Sequence, residues 1–344
     1  MPRPAPSAPA PKAPTIHDVA RAVGVSKSAV SLAIRGQTGL SETTRGRILA
    51  VAQELGYRSN VWARSLVRGR TGLVGVLLGD LGNSYHRDVT AGIEDTAAER
   101  DMRLVIGHGR RDPARLQQEL DSLLALGVEG VVIVSSWVPP HHLEDVARRV
   151  PLTVVGRLPE EVPGVDTVAN QDERGARLAV QHLVDLGHTR IAHFTGSSRT
   201  AALHRRRSFS EAVRTLLPVA GEPRVEGPQL VEQAMDLLIA SLLRGQEAPT
   251  AVFTQNDRIA AELIGRCTDA GLELPGRLSV VGYDNSSVCR MLRPQLTSID
   301  QPRLRMGSLA LEMLHERITG RLDPHHVRVE PSLKVRRSTA SPCT

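Results

Sequence analysis

The residues near the N-terminus with the clearest chemical potential are short polar and cationic side chains on one helical face. Lys27, Ser28 and Ser31 recur at spacings of one, three and four residues. Val30 and the pair 33–34 supply an apolar stripe at helical spacing on the other side. An ammonium group can donate to guanine acceptors, and hydroxyls can meet base edges or phosphates. The pattern therefore predicts a helix that reads a DNA groove.

The flanking residues predict how this helix is positioned. Thr15 and Asp18 form a capping box at the start of a first helix, which carries the pair 19–20 inward. Gly24 tolerates the backbone of a sharp turn, and Ser26 caps the second helix. Two short helices joined by a tight turn predict a helix-turn-helix, with the second helix as the reading element.

A third helix follows, and the surrounding charge supports a nucleic-acid role. Ser41 opens the helix, which presents Ile48, the pair 51–52 and Leu55 on one face and closes at Gly56. Capped helices of this kind also occur in all-α domains that bind no DNA. However, residues 1–70 carry a net charge of +8, and the rest of the chain sums to −2. This distribution favours a module that binds a polyanion.

The stretch 15–71 resembles the headpiece of the lactose-repressor (LacI/GalR) family of bacterial transcription regulators. The resemblance rests on Thr15-Ile16-x-Asp18-Val19-Ala20, Gly24-Val25-Ser26, Val30-Ser31, Ser41, Gly56-Tyr57, Asn60, Ala63, Leu66 and Gly69-x-Thr71. It implies a homodimer on double-stranded operator DNA, with a hinge helix over 60–67 that forms on the operator. The DNA contacts that we predict are Thr15, Lys27, Ser28, Ala29, Ser31, Leu32, Tyr57, Asn60, Ala63 and Leu66.

Composition excludes several other classes of protein. Hydrophobic residues make up 41% of the 344 residues, enough for a full core, while aromatic residues make up only 2%. The three cysteines contain no CxxC pair, which argues against a disulfide framework or a zinc site. No apolar run reaches the roughly 18 residues of a membrane span. Residues 1–14 are rich in Pro and Ala without a signal-peptide core. We therefore expect a cytoplasmic protein with a disordered N-terminal tail.

Beyond the headpiece, short apolar runs alternate with helical patterns. Apolar runs at 73–78, 104–106, 130–134, 152–155, 191–194, 251–254 and 278–281 predict strands, and helices are predicted at 85–100, 113–126, 172–186, 201–217, 229–244 and 257–270. Strands that are apolar on both faces indicate parallel sheets covered by helices on both sides. Two series of similar size, 72–168 and 169–300, predict two such sheets facing one another.

The resemblance extends to the C-terminus and gives the domain plan. Its later matches are Val280-Val281-Gly282-Tyr283-Asp284, Leu296 to Pro302 and Leu333-x-Val335-Arg336-Arg337-Ser338-Thr339. It implies an α/β, two-lobed core of the periplasmic-binding-protein type after the headpiece. We predict a tail at 1–14, a helix-turn-helix domain at 15–59, a hinge at 60–71 and an effector domain at 72–340. Lobe one would hold about 72–168 and 302–329, and lobe two about 169–300 and 330–340.

Polar residues follow the predicted strands, where ligands bind in doubly wound sheets. The strand ends deliver Asp80, 83–86, 135–137, 255–257 and 283–285. A carboxylate, amides, one guanidinium and an aromatic ring suit a neutral polyol such as a sugar. The family resemblance adds Arg205, Asn256, Asp284 and Gln301, so the predicted effector contacts are Tyr85, His86, Trp137, Arg205, Asn256, Asp284 and Gln301.

Some of these cleft residues have simpler interpretations. Asp257 is predicted to cap its helix in preference to touching a ligand, and Arg206 and Arg207 are predicted to be solvated. Trp137 could equally be a surface ring. The histidine pairs 141–142 and 325–326 lack a visible third ligand, so we expect no metal.

Three functions compete for this sequence. The leading one is a transcription regulator, most often a repressor in this family, controlled by a small sugar-like effector. A sugar receptor without DNA function is disfavoured by the basic headpiece. An enzyme on the same lobes is disfavoured because no GxSxG, P-loop or HExxH motif occurs. We therefore predict neither catalytic residues nor a cofactor.

Overall fold

A computed structural model describes residues 14–34, 36–57, 70–134, 137–197, 199–217, 224–226 and 231–343. The chain divides into two compact units, Met1–Thr71 and Gly72–Thr344. The predicted tail and the hinge segment, with Asn60, Ala63 and Leu66, lie outside the described residues, except for Pro14, Arg70 and Thr71.

The first unit contains three helices, α1 (Ile16–Val23), α2 (Lys27–Ile34) and α3 (Glu42–Glu54). The predicted caps are confirmed. The Thr15 backbone N–H donates to the Asp18 carboxylate at 2.9 Å, and Ser26 Oγ accepts from the Ala29 N–H at 3.1 Å. Ser41 Oγ accepts from Thr44 N–H at 3.2 Å. Gly24 adopts a left-handed conformation with φ 73°, which ends α1 at a sharp turn.

The three helices share one apolar core. Its buried members are Val19, Ala20, Val23, Val30, Ala33, Ile48 and Ala52. Leu55 was expected to join them, and that prediction is wrong: α3 ends at Glu54, and the Leu55 side chain in the capping position is 41% exposed.

The second unit contains two six-stranded sheets. Sheet one has the strand order β11-β5-β4-β3-β1-β2 and is parallel throughout. Its strands are β1 (Leu73–Leu78), β2 (Arg103–His108), β3 (Gly130–Val134), β4 (Leu152–Val155), β5 (Val165–Asn170) and β11 (His326–Val329). Helices α4 (Ser84–Glu99), α5 (Pro113–Ala125), α6 (Pro140–Ala147) and α12 (Arg303–Ile318) accompany it. Separate apolar clusters lie on its two faces, one with α4 and α12 and one with α5 and α6.

Sheet two repeats the arrangement with the order β12-β10-β9-β8-β6-β7. Its strands are β6 (Ile191–Phe194), β7 (Arg224–Glu226), β8 (Ala251–Thr254), β9 (Ser279–Asp284), β10 (Thr297–Asp300) and β12 (Ser332–Lys334). Strand β12 alone is antiparallel to its neighbour. Helices α7 (Asp172–Asp185), α8 (Thr200–Leu216), α9 (Val231–Leu243), α10 (Asp257–Asp269) and α11 (Val288–Met291) belong to this half. The prediction of two helix-covered parallel sheets is confirmed.

The chain passes between the two sheets at three places. The crossings run from β5 to α7 at residues 170–172, from β10 to α12 at 300–303, and from β11 to β12 at 329–332. Each crossing is short, so each half contains segments that are far apart in the sequence. Strand β11 pairs with β5, for example, so that His326 lies opposite Thr167.

Helices α4 and α12 cross at two glycines. A Cβ atom added to Gly92 would lie 2.0 Å from the Leu304 carbonyl oxygen, and one added to Gly307 would lie 2.0 Å from the Val89 carbonyl oxygen. The backbones therefore touch directly, which only glycine permits.

Gly92→Ala should destabilise the second unit by roughly 1–3 kcal/mol, because the added methyl group forces the two backbones apart. Gly265→Ala is the matched control, since an added Cβ there on the exposed face of α10 has nothing within 4 Å. That control should instead stabilise the protein by about 0.5–1 kcal/mol through helix propensity. Urea unfolding followed by circular dichroism measures both. Equal stability of the two variants would contradict this packing.

Candidate functional site

The exposed surface of α2 carries the polar residues predicted to contact DNA. Lys27 and Ser28 are exposed, while Ala29, Ser31 and Leu32 are half-buried. Val30 and Ala33 are buried on the opposite side, so packing fixes which face of α2 points outward. Thr15 is exposed beside the start of α1, and its hydroxyl donates to the Asp18 carboxylate at 2.7 Å. Tyr57 packs half-buried against the three-helix core.

A cavity of about 490 Å³ lies between the two sheets of the second unit. All seven residues that we predicted as effector contacts line it: Tyr85, His86, Trp137, Arg205, Asn256, Asp284 and Gln301. Most of them follow the carboxyl end of a strand, as expected for ligand sites in sheets of this kind. Ser135 and Ser136, named with Trp137 in the sequence, lie outside the described residues.

A buried ion pair forms the floor of the cavity. Arg205 Nε donates to Asp172 Oδ1 at 2.9 Å, and Arg205 Nη1 donates to the Gln255 carbonyl oxygen at 2.8 Å. The Arg205 guanidinium also lies 3.7 Å from the centre of the Tyr283 ring. The Tyr283 hydroxyl donates to Asp172 Oδ1 at 3.1 Å. The nearby Asp172 carboxylate raises the pKa of Arg205 despite burial, which by itself lowers it. The guanidinium is therefore a fixed, fully charged donor.

Asp284 is a half-buried carboxylate of the cavity. Gln301 Nε2 donates to Asp284 Oδ1 at 2.5 Å. Burial raises the pKa of Asp284 to about 7, with Arg205 opposing the shift and Asp257 adding to it. Asp284 has φ 106° and Asn285 has φ 49°, backbone conformations that residues other than glycine rarely adopt. Such strained backbone conformations persist where the surrounding structure holds the residues in place. Here the strained residues form the turn after β9, and Asp284 lines the cavity.

The start of α10, at Asn256 and Asp257, differs from our prediction. Asn256 is the N-cap of α10, and its Oδ1 accepts from Ile259 N–H at 3.0 Å. The expectation that Asp257 caps the helix is therefore wrong. Asp257 accepts instead from Ser286 N–H and Ser298 Oγ, both at 2.6 Å, and joins the loop after β9 to β10. Asn256 nevertheless lines the cavity, and its amide nitrogen is a hydrogen-bond donor.

The mouth of the cavity is more cationic than its floor. Arg111 Nε donates to Asp80 Oδ2 at 2.6 Å. His86 Nδ1 lies 2.8 Å from the Asp80 carbonyl oxygen, and burial lowers the pKa of His86 to about 4, which makes the ring neutral. Trp137, from the half with sheet one, lies beneath Arg199, from the half with sheet two, with 3.3 Å between the guanidinium carbon and the ring centre. One face of Trp137 is thus already occupied.

Several cavity residues were missed by the sequence reasoning. They are Arg111, Arg157, Asn170, Asp172 and Arg199. Arg111 and Arg199 follow strands that we had predicted, so the strand-end rule could have found them. Asn170 and Asp172 follow β5, a strand that we had not predicted. Arg206 and Arg207 are exposed, as expected.

In the described part of the chain, no group of three or more His, Cys, Asp or Glu side chains is arranged to hold a metal ion. The same residues contain no helix both long and apolar enough to cross a membrane. Cys267 and Cys289 are buried and Cys343 is exposed, all as free thiols.

Comparison with known proteins identifies both units. Residues 15–60 match the family described as bacterial regulatory proteins, lacI family, and residues 180–339 match the periplasmic binding protein-like domain. Catabolite control protein A of Priestia megaterium is 30% identical over 94% of this chain and 99% of its own length. The lac repressor dimer bound to operator and the anti-inducer ONPF superposes with a TM-score of 0.81 and 26% identity, covering 96% of this chain and 100% of that one.

A complex of the transcriptional regulator CelR with cellobiose superposes with a TM-score of 0.66 and 28% identity, over 95% of this chain and 100% of that one. These relatives are regulators, so the alternative of an enzyme is set aside. The match extends over nearly the whole of both chains and includes the helix-turn-helix as well as the two-lobed unit. The chain belongs to the LacI family of bacterial regulatory proteins.

Proposed function

We propose that this protein is a homodimeric, cytoplasmic repressor whose affinity for operator DNA is set by a small sugar or polyol in the cavity. The observation that carries the proposal is the presence, in one chain, of an exposed polar face on α2 and a cavity that takes donors and acceptors from two sheets. The first suits a DNA groove, and the second suits a ligand rich in hydroxyl groups. The operator and cellobiose complexes of the relatives support the same pairing.

The cavity explains how a ligand could move the DNA equilibrium. Arg205 and Asp284 belong to the half with sheet two, whereas Tyr85, His86 and Trp137 belong to the half with sheet one. A ligand that touches both sets stabilises one angle between the halves over another. Only such a difference in affinity for the two arrangements can change binding at a distant site. Since the second unit begins directly after the predicted hinge, its rotation would change the spacing of the two hinges in a dimer.

The DNA contacts that we propose remain those given above for the headpiece, with Lys27 as the base-reading cation. Asn60, Ala63 and Leu66 would act from the hinge helix, where paired Leu66 side chains would wedge between base steps in the minor groove. A dimer places two headpieces on the two half-sites of an operator.

Lys27→Ala should weaken specific operator binding by about 1–3 kcal/mol and relax the preference at one base position. The ammonium group is exposed at the start of α2, so its loss should not affect folding. Gel-shift titrations on DNA from upstream of the protein's own gene, and on random DNA, provide the measurement. Arg21→Ala, an exposed cation on α1, is the control for a purely electrostatic effect. An equal loss on both DNAs would mean that Lys27 contacts only phosphate.

A further inference from the structure

The guanidinium of Arg199 differs from those of Arg111, Arg157 and Arg205, which also line the cavity. Arg111 is paired with Asp80, Arg157 lies 3.0 Å from Glu173, and Arg205 is paired with Asp172. Within the described residues, the Arg199 side chain has no ion pair and no hydrogen bond, and its guanidinium lies over the Trp137 ring. A half-buried charge without a counter-ion is unusual, because burial disfavours the charged form.

Over the Trp137 ring, the N–H donors of the Arg199 side chain bind no acceptor among the described residues. A guanidinium that lies flat on a ring keeps its N–H donors in its own plane, where they can grip a carboxylate or phosphate with two parallel bonds. The ring also fixes the direction of that plane. Trp137 therefore acts as a platform that holds the donors at the cavity mouth, where both residues line the wall.

The charges around Arg199 leave an excess of positive potential. Asp80 already binds Arg111, and His86 is neutral at physiological pH. Two guanidiniums thus face one carboxylate in this corner. Burial and the neighbouring Arg111 lower the pKa of Arg199 to about 10, which shows that the protein itself destabilises this charge. A bound anion would relieve that cost.

The backbone adds to the same potential. Arg199 is the N-cap of α8, a helix of 17 residues, and its own side chain makes no capping hydrogen bond among the described residues. The Arg199 N–H donates to Ser197 Oγ at 3.2 Å, and the first turn contains no acidic residue. Ala201 and Ala202, in that first turn, line the cavity. The partial positive charge of a helix N-terminus favours an anion there. The Arg199 side chain and the first turn of α8 therefore lie together in the cavity wall.

We propose that the effector is an anionic sugar or polyol whose phosphate or carboxylate group binds Arg199 at the N-terminus of α8. This inference rests on the proposed function and narrows it. The hydroxyl groups of the same ligand would reach Asp284 and Arg205 deeper in the cavity, while the anionic group stays near the mouth. Phosphate and carboxylate share the chemistry of this corner, and the experiment separates them.

Thermal-shift and calorimetric titrations of the full-length protein test the proposal with matched probes. The probes are glucose with glucose 6-phosphate, fructose with fructose 1-phosphate, glucitol with gluconate, galactose with galacturonate, and inorganic phosphate alone. We expect the anionic member of at least one pair to bind at least about tenfold more tightly than its neutral partner, which corresponds to about 1.4 kcal/mol. Raising the salt concentration should weaken that member selectively.

Arg199→Gln should remove the preference for the anion and leave the affinity for the neutral partner unchanged. Arg199→Lys should retain only part of the preference for the anion, because a lysine lacks the planar pair of donors. Arg206→Gln is the matched control, since Arg206 lies on the same helix and is exposed. An anion preference that survives Arg199→Gln would overturn the assignment of this residue.

The remaining outcomes separate this inference from the proposed function. Neutral members that bind as tightly as their anionic partners throughout the panel would overturn the inference and leave a neutral polyol effector in place. No binding by any sugar or polyol, neutral or anionic, would contradict both. Binding of inorganic phosphate alone with the same affinity as the sugar phosphates would also contradict the inference, because the polyol part would then contribute nothing.

Discussion

Asp172→Ala should destabilise the second unit by about 3–5 kcal/mol, the cost of leaving a buried charge without its partner. The Asp172 side chain is 3% exposed and the Arg205 side chain 9% exposed, so water cannot replace the lost carboxylate. The same oxygen accepts from the Tyr283 hydroxyl, which would also lose its partner. A large shift of the urea midpoint at an unchanged slope is the expected result.

Two further variants show whether the charge or the shape of Asp172 matters. Asp172→Asn keeps an oxygen that can accept from Arg205 and Tyr283, so it should recover part of the stability. Glu173→Ala removes a neighbouring carboxylate that is 47% exposed and should therefore cost less than Asp172→Ala. If Asp172→Ala proved as mild as Glu173→Ala, the buried pair would have no structural role. The comparison of the three variants separates the buried pair from its surroundings, since only the changes at Asp172 should cause a large loss of stability.

Asp284→Asn should abolish most of the response to effector while operator binding without effector stays normal. The charge-assisted hydrogen bonds that a carboxylate makes are each worth about 1.5–3 kcal/mol, so effector affinity should fall roughly tenfold or more. The effector in this test is the compound of the sugar panel with the largest thermal shift, and gel shifts at increasing concentrations measure the response. Asp185→Asn, an exposed change on α7, is the control. A variant that still responds at the wild-type concentration would refute the assignment.

The same variant carries a pH signature. Because the folded protein holds the pKa of Asp284 near 7, above the usual 3.8, the folded state retains this proton more tightly than the unfolded chain. The stabilising contribution of Asp284 is therefore complete below pH 3.8 and is lost as the pH rises to about 7. Asp284→Asn should remove this loss, so that the wild type weakens relative to the variant as the pH rises from 3.8 to about 7. Urea unfolding at several pH values checks the sign.

The strands with at most one polar residue were predicted with the correct bounds, as β1, β3, β4, β6 and β8 show. Strand β5 was missed because Asp166, Thr167 and Asn170 interrupt its apolar pattern. Asp166 is nevertheless buried, where it accepts from the Arg321 side chain and from His325 N–H at 2.8 Å. A local sequence pattern cannot predict partners that lie more than 150 residues away along the chain.

In the predicted site too, local patterns placed the residues, whereas contacts between distant residues could not be predicted. The strand-end rule and the family resemblance together placed seven residues around the cavity, because parallel strands necessarily end at one edge of their sheet. The rule could not supply the contact between Trp137 and Arg199, which depends on how closely the two halves approach each other. Asn256 caps α10 in place of Asp257 for a similar reason. Which of two adjacent polar residues caps a helix depends on whether a distant group such as Ser298 binds the other.

The three short crossings have a consequence for synthesis on the ribosome. The half with sheet one lacks its outer strand β11 and its covering helix α12 until residues 303–329 have been made, because those segments follow nearly all of the other half. Until then β5 has an unpaired edge, and the face bearing Val76, Val132 and Val168 has no α12 against it. Unpaired edges and uncovered apolar faces favour association between nascent chains. The growing chain must therefore protect its first half while the second is translated, and both halves reach their final form almost together.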